Sequence, residues 1–454
     1  MNPIIIIGNG IAGVTAAREI RKRDLDIPIL IISGETDHHF SRTALMYIFM
    51  GHMKFKDTKP YEDHFWKENK LELKRGWVEK IEHESNLISI RDGEAIKYSD
   101  LIIAVGSVPN KFGWPGQDLP GVQGLYSKQD LDELEENVVG AKHAVVAGGG
   151  LIGIELAEML ITRGIGVTFL VRERNFWGSV IPEEESKMLE AHIREHHVDL
   201  RMNEELESIH AGDDGRVSHV ITQSGEKIDC TIVGLTAGVR PNVNWLEEGS
   251  DVEIDRGVLV DNYFRTNLPN VWSIGDCAQL RNPPKSRRSI EAVWYVGKIQ
   301  GAFLAANICG DLTGYDPGIW WNSAKFFDIE YQTYGIVLPI PEDGEKTFFW
   351  KAADKNITLR INYREDALTV TGVNVFSIRH RHQVWEKWLK DKAQVTDVLS
   401  QLAAANFDPE FFKQYEDEII AHWNKQMNVP QVTKQLSKGL FSSFITKLNI
   451  FKPH

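Results

Sequence analysis

The chain has 454 residues, with 64 acidic against 51 basic side chains and a formal net charge of −13. That acidic balance argues against a nucleic-acid binder, which needs a concentrated basic face. The length calls for about three domains, each large enough for its own core. Three cysteines, Cys230, Cys277 and Cys309, form no C-x-x-C pair and no disulfide framework, which suits a reducing, cytoplasmic setting. The first strand begins at Ile4, so no signal peptide is expected before it. No apolar run approaches the roughly 20 residues a spanning helix needs.

Ile4-Ile5-Ile6-Ile7 reads as a buried parallel strand. It runs straight into Gly8-Asn9-Gly10-Ile11-Ala12-Gly13, and Val14 to Ile20 continues as a helix. In this G-x-G-x-x-G, Gly8 permits the tight turn, Gly10 lets backbone approach a pyrophosphate, and Gly13 lets helix and strand pack closely. The helix N-terminus offers unpaired N–H groups and a positive dipole end to that anion. The pattern then recurs: Ala144 to Ala147 is a second strand, and Gly148, Gly150 and Gly153 repeat the glycine triad ahead of a second helix. Two such motifs in one chain point to two dinucleotide-binding folds.

Leu30-Ile31-Ile32-Ser33-Gly34-Glu35 is the second strand and turn of the first fold. A dinucleotide fold uses an acidic residue about 20 positions after the glycines to hold a ribose hydroxyl. Glu35 is the nearest candidate, the alternative being a surface carboxylate. In the second fold Val167 to Val171 is the corresponding strand, followed by Arg172 and Glu173. An acid there favours NADH and an arginine NADPH, and this sequence offers both.

Phe40-Ser41-Arg42-Thr43-Ala44-Leu45 resembles the aromatic-x-Arg-Pro-x-Leu motif of two-dinucleotide flavoprotein reductases, with Thr43 replacing proline. These belong to the pyridine nucleotide–disulfide oxidoreductase superfamily, in its ferredoxin and rubredoxin reductase and apoptosis-inducing-factor-like branch. Two more stretches are similar to that family. One runs from Asp100 to Pro109, through Ala104 and Gly106, with its analogue Ile232 to Asn242 through Gly238. The other is Thr266-Asn267-Leu268-Pro269-Asn270-Val271-Trp272-Ser273-Ile274-Gly275-Asp276-Cys277-Ala278. The resemblance implies an α/β protein with two Rossmann-like domains and a C-terminal α+β interface domain. The FAD domain would be built from 1–120 and 249–319, the inserted NAD(P)H domain from 121–248, the interface domain from 320–425, and an amphipathic tail from 426–454.

It further implies that Arg42 lies near the flavin diphosphate or ring and that Asp276 bonds the ribityl chain. A helix from Glu291 would aim its N-terminus at the flavin edge, which Val293 and Trp294 would line. Glu155, which extends the second motif to G-x-G-x-x-G-x-E, would sit near the nicotinamide and position hydride transfer. Gly153, where NADPH enzymes often carry alanine, favours NADH. The departures are as informative. No cysteine precedes Cys230, so the redox-active cysteines of the disulfide reductases are absent, and Tyr47 falls where many relatives carry a lysine. Thiolate chemistry on the flavin is therefore excluded.

The expected activity is hydride transfer from NAD(P)H to FAD and electron transfer to an external acceptor, a small rubredoxin- or ferredoxin-like protein. The alternatives are a type II NADH:quinone oxidoreductase-like enzyme peripheral to a membrane, or a redox-sensing flavoprotein of low turnover. Strand-like alternation at 357–361 and 368–373 suggests an antiparallel sheet in the third domain, which would serve dimerisation or acceptor docking. Arg379-His380-Arg381-His382 reads as a solvated basic turn or an acceptor contact, and no third ligand makes it a metal site. Leu436, Leu440, Phe441, Phe444, Ile445 and Leu448 fall at helical spacing, which fits either a docked helix or an interfacial membrane helix.

Overall fold

In a computed structural model, residues 1–285, 287–353, 355–426 and 429–435 are described. The apolar stripe from Leu436 lies outside them. The described residues divide into two compact units, Met1–Arg174 with Arg194–Pro317, and Asn175–Ile193 with those from Gly318 onward.

The first unit is built twice on one plan. Its first sheet runs Val271–Ser273, Asp100–Ile103, Ile4–Ile7, Ile29–Ser33, Leu71–Arg75, all parallel. Ile4 to Ile7 occupy its centre and are buried on both faces, as a run of β-branched residues demands. The second sheet runs Asp199–Met202, Gly166–Val171, His143–Ala147, Ile232–Leu235, Val122–Gln123, again all parallel. Each has a three-stranded antiparallel meander beside it in sequence, Val78–Glu82 to Ala95–Lys97 in one and Leu206–Ala211 to Lys227–Asp229 in the other. The helix Ile11–Arg23 follows the first glycine turn and Leu151–Thr162 the second.

Two short strands join the folds. Ser107–Pro109 pairs antiparallel with Val239–Pro241, with Ser107 opposite Pro241. The helix Trp294–Ile308 lies along Ile11–Arg23 so closely that a Cβ on Gly301 would stand 2.6 Å from the Ala12 carbonyl. It starts at Trp294 rather than Glu291. Val293 is extended, at φ −135° and ψ 132°, and Glu291 is drawn into a buried ion pair with Arg287 at 2.7 Å.

The second unit is the antiparallel sheet suggested by the alternating pattern. Its order is Trp321–Phe326, Ile329–Gly335, Val370–Phe376, Thr358–Arg364, Glu345–Lys351. The helices His382–Lys390, Val395–Ser400 and Glu416–Asn424 close its apolar core around Trp385 and Trp423. Residues 175–193, which sequence places in the inserted domain, also belong to this unit. Here Arg360 is buried and donates to Glu185 at 3.1 Å, Glu184 at 2.8 Å and Thr347 at 3.1 Å. Among the described residues no helix is long and apolar enough to cross a membrane.

Candidate functional site

The two glycine turns show the same geometry. Gly8 has φ +114° and Gly148 φ +119°, a conformation that strains any other residue. A Cβ at Gly8 would stand 2.1 Å from the Ala104 carbonyl, and one at Gly148 2.5 Å from the Ala237 nitrogen. Gly13 and Gly153 each bring their helix against the preceding turn, where a Cβ would lie 2.3 Å from the Gly8 or Gly148 carbonyl. The middle glycines differ from these. Gly10 caps its helix with nothing within 4 Å of a Cβ position, and Gly150 meets only the Thr236 carbonyl, at 3.9 Å. Neither helix has a side-chain cap or an acid in its first turn. Both therefore present bare N–H groups and a positive end to open space, which is what a pyrophosphate requires. The first turn is also braced from outside. Asn9 Nδ2 donates to the Thr36 carbonyl at 2.9 Å, and His39 Nδ1 lies 2.8 Å from the Asn9 carbonyl. Burial lowers His39 to about 4, so the ring is neutral and Nδ1 carries the donated hydrogen.

Glu35 and Arg42 meet at the end of the second strand. Arg42 donates to Glu35 Oε1 at 2.8 Å and Oε2 at 2.6 Å, a fork-to-fork pair. Glu35 Oε1 also accepts from the Lys128 N–H at 3.0 Å. A carboxylate has about four acceptor positions, so one remains for a ribose hydroxyl. The Arg42 guanidinium lies between the rings of Phe40 and Tyr126, at 5.3 and 4.6 Å.

Asp276 lies in the single turn after the strand Val271–Ser273. Its Oδ2 accepts from Tyr126 Oη at 3.2 Å and Ser107 Oγ at 3.3 Å. Burial pushes its carboxyl above the ordinary range, against those two donors and the Arg42 charge. Gly275 donates to Gln300 Oε1 at 2.7 Å, which fixes this turn on the helix Trp294–Ile308. Gly297, in that helix's second turn from Trp294, faces Ile11 and Ala12. Gly297 and Gly275 thus both lie against the start of the first glycine-turn helix, and Val293 and Trp294 stand at the near end of the helix that carries Gly297. Ala104 donates its N–H to the Ile7 carbonyl, and Gly106 turns the chain at φ +68° toward the crossing strand. Gly238 does the same in the second fold at φ +85°, and its carbonyl accepts from the Asn110 N–H at 3.1 Å.

Beyond the second glycine turn, Glu155 is partly buried on the helix Leu151–Thr162. Burial and then the Glu158 charge push its carboxyl up to about 7. Arg172 and Glu173 follow the strand Gly166–Val171 and pair with each other at 3.3 Å. The cysteines stand apart from this chemistry. Cys277 is buried with Sγ donating to the Ile274 carbonyl at 3.3 Å, and burial raises its pKa. Burial pushes the Cys230 thiol up to about 12.

Tyr126 is the residue here that lies outside every sequence motif, and long-range packing brings it to Asp276. Ser107 and Gln300 lie inside stretches the sequence singles out, the first in the Asp100–Pro109 motif and the second in the helix expected from Glu291, but their contacts with Asp276 and Gly275 are not legible there. The basic cluster differs from its sequence reading. His380 is buried, its Nδ1 accepts from Trp385 Nε1 at 3.0 Å, and burial lowers it to about 3. Arg379 is paired with Glu330.

Two parallel sheets, each followed by a helix that starts without a side-chain cap or a first-turn acid, define a two-dinucleotide-binding fold. The model of the pyridine nucleotide–disulphide oxidoreductases matches residues 2–297, and the chain belongs to that family. It is an FAD-dependent NAD(P)H oxidoreductase. It is 28% identical over 338 residues to a ferredoxin–NAD(P)+ reductase of Sphingomonas sp, covering 73% of this chain and 81% of the relative. It is 28% identical over 325 residues to a rubredoxin–NAD+ reductase of Pseudomonas putida, covering 71% and 84%. Among solved structures, the NAD-dependent persulfide reductase of A. fulgidus shares the fold, with a TM-score of 0.81 at 22% identity, over 100% of this chain and 85% of that one.

Proposed function

We propose that this protein takes reducing equivalents from NAD(P)H and hands electrons to a small rubredoxin- or ferredoxin-like protein in the cytoplasm. In this reading residues 1–120 with 249–319 hold FAD, 121–248 hold the nicotinamide coenzyme, and the part from 320 serves acceptor docking or dimerisation. The observation that carries it is the pair of open, glycine-turned helix ends, at Gly10 and Gly150, joined by the crossing strands Ser107–Pro109 and Val239–Pro241. The names of the Sphingomonas and Pseudomonas relatives support the choice of acceptor. The three cysteines are free, in keeping with a reducing compartment.

FAD, when bound, supplies a ring that takes up a hydride and releases electrons. Gly8, Gly10 and Gly13 cradle its diphosphate on the N–H groups of Ile11–Arg23, and Ala104 and Gly106 let backbone pass close beside it. Glu35 offers its remaining acceptor position to the adenosine ribose, with Arg42 balancing its charge. Asp276 holds the ribityl chain through the oxygen that Tyr126 and Ser107 leave free. Val293 and Trp294 border the ring, where the helix Trp294–Ile308 puts its positive end. In the second fold Gly148, Gly150 and Gly153 repeat the cradle, Gly238 shapes the crossing, and Arg172 and Glu173 meet the coenzyme's adenosine ribose. Glu155 positions the nicotinamide. Its carboxyl, raised to about 7, exchanges between protonated and ionised forms near neutral pH and so can hold or release a proton beside the coenzyme. With Cys230 and Cys277 buried and burial raising all three thiols, the exposed Cys309 included, the cysteines are held in the thiol form and away from intercepting the electrons.

Anaerobic stopped-flow mixing of the flavin-loaded protein with NADH and with NADPH tests this reading. Bleaching within seconds by one coenzyme, followed by reoxidation on adding rubredoxin or ferredoxin, is the expected result. Flavin that neither coenzyme bleaches would overturn it.

A further inference from the structure

Tyr126 touches both sides of the flavin cradle. Its phenolic oxygen accepts from the Ser107 N–H at 3.1 Å and donates its one hydrogen to Asp276 Oδ2 at 3.2 Å. The Ser107 hydroxyl reaches the same oxygen at 3.3 Å. The Tyr126 carbonyl accepts from Arg42 Nη1 at 2.6 Å, and the Arg42 guanidinium lies 4.6 Å from the Tyr126 ring centre. Gly106 makes room for the hydroxyl, since a Cβ there would stand 3.1 Å from it. The Tyr126 N–H in turn donates to Asp130 Oδ2 at 2.8 Å, and Asp130 with Ser127 caps the helix Lys128–Asn137. One residue thus ties that helix, Arg42 and Asp276 together.

Two donors on one carboxylate oxygen fix the rotation of the Asp276 side chain and leave the other oxygen as its acceptor. We propose that Tyr126 is a positioning residue of the flavin site, pinning Oδ2 of Asp276 so that Oδ1 is aimed at the ribityl hydroxyls. The bond also draws negative charge toward Oδ2 and away from the ring. This rests on the reading that the first fold holds FAD.

Tyr126→Phe keeps the ring and its contact with Arg42 and removes only the hydroxyl. Its effect is measured beside Ser107→Ala, Asp276→Asn and the Tyr126→Phe/Asp276→Asn double variant. FAD retention is read by ultrafiltration of serially diluted holoprotein, and the flavin midpoint potential by dye equilibration. The expected result for Tyr126→Phe is FAD bound about 5-fold more weakly, as for the loss of one hydrogen bond, and a more negative midpoint potential. Ser107→Ala moves both in the same direction. On the Asp276→Asn background the tyrosine change adds less than half of either effect. Retention and potential equal to wild type in Tyr126→Phe would overturn the proposal, as would effects that add in full to those of Asp276→Asn. A wild-type protein that takes up no FAD would instead overturn the flavin reading itself.

Discussion

The Glu155 carboxyl titrates near neutrality at the expense of stability, and that cost can be measured. Burial and the neighbouring Glu158 raise it from 4.5 to about 7. A folded-state pKa above the unfolded value means that the folded protein prefers the protonated form. Below pH 4.5 both states hold the proton and there is no cost. The cost grows between 4.5 and 7 as the unfolded chain ionises first, and it is complete above 7. At about 1.4 kcal/mol per unit it reaches up to about 3 kcal/mol at pH 8 and less than about 1 kcal/mol at pH 5. Glu155→Gln keeps the shape and removes the titration. It should therefore stabilise the protein strongly at pH 8 and little at pH 5, as read from urea unfolding midpoints at the two pH values. In stopped-flow reduction, the wild-type rate should change with an inflection near pH 7 that the glutamine variant lacks. A gain independent of pH, or an inflection that survives the substitution, would refute the reasoning.

Gly10→Ala separates fold from function. At φ −69° with open space around it, the added methyl strains nothing, so the unfolding midpoint should stay within about 0.5 kcal/mol of wild type while FAD affinity falls at least about 10-fold. Unchanged retention on ultrafiltration would remove the cradle from this helix end. Gly13→Ala, whose Cβ would lie 2.3 Å from the Gly8 carbonyl, should instead lower the melting temperature of the whole first unit. Arg360→Met strands the fully buried Glu185 and should destabilise the C-terminal unit by about 3–5 kcal/mol in urea; a loss under about 1 kcal/mol would show that Glu185 is simply protonated there. Arg172→Ala should cut kcat/KM for NADPH and spare NADH, and Glu173→Ala the reverse; steady-state assays with both coenzymes decide which side chain reads the ribose.

What the chain discloses in advance depends on whether a requirement is local. Turns at φ +114° and +119°, where a Cβ would stand 2.1 Å from the Ala104 carbonyl or 2.5 Å from the Ala237 nitrogen, can only be written as glycine, so both dinucleotide folds stand out from their glycine triads between strand and helix. The four isoleucines of the first strand are legible for the same reason, since burial on both faces admits little else. Tyr126 is not legible, because its partners Arg42 and Asp276 are remote in sequence and nothing about the residue before a helix cap asks for a phenol. His380 reads as solvated because it sits among arginines, yet packing with Trp385 buries it. The helix expected from Glu291 starts later because a side-chain pair with Arg287 competes for its first turn. In each failure a distant or competing side chain overrides the local pattern.

The duplication has a consequence for how the two folds cooperate. In both, the chain leaves the parallel strand beside the central one, at Ile103 or Leu235, and three residues later turns at a glycine with positive φ, Gly106 at +68° or Gly238 at +85°. Both then enter the crossing strands, where Ser107, Val108 and Pro109 pair with Pro241, Arg240 and Val239. Ligands of parallel α/β sheets bind outside the carboxyl ends of the strands. The crossing pair starts from those ends in both folds, so it sets the approach of one carboxyl edge to the other. Ser107, which holds Asp276, and Asn110, which holds Gly238, flank that crossing. In the proposed reading, the contacts that set Asp276 and Gly238 and the link between the two carboxyl edges thus fall within one short segment, 107–110, and a shift in its register would disturb both at once.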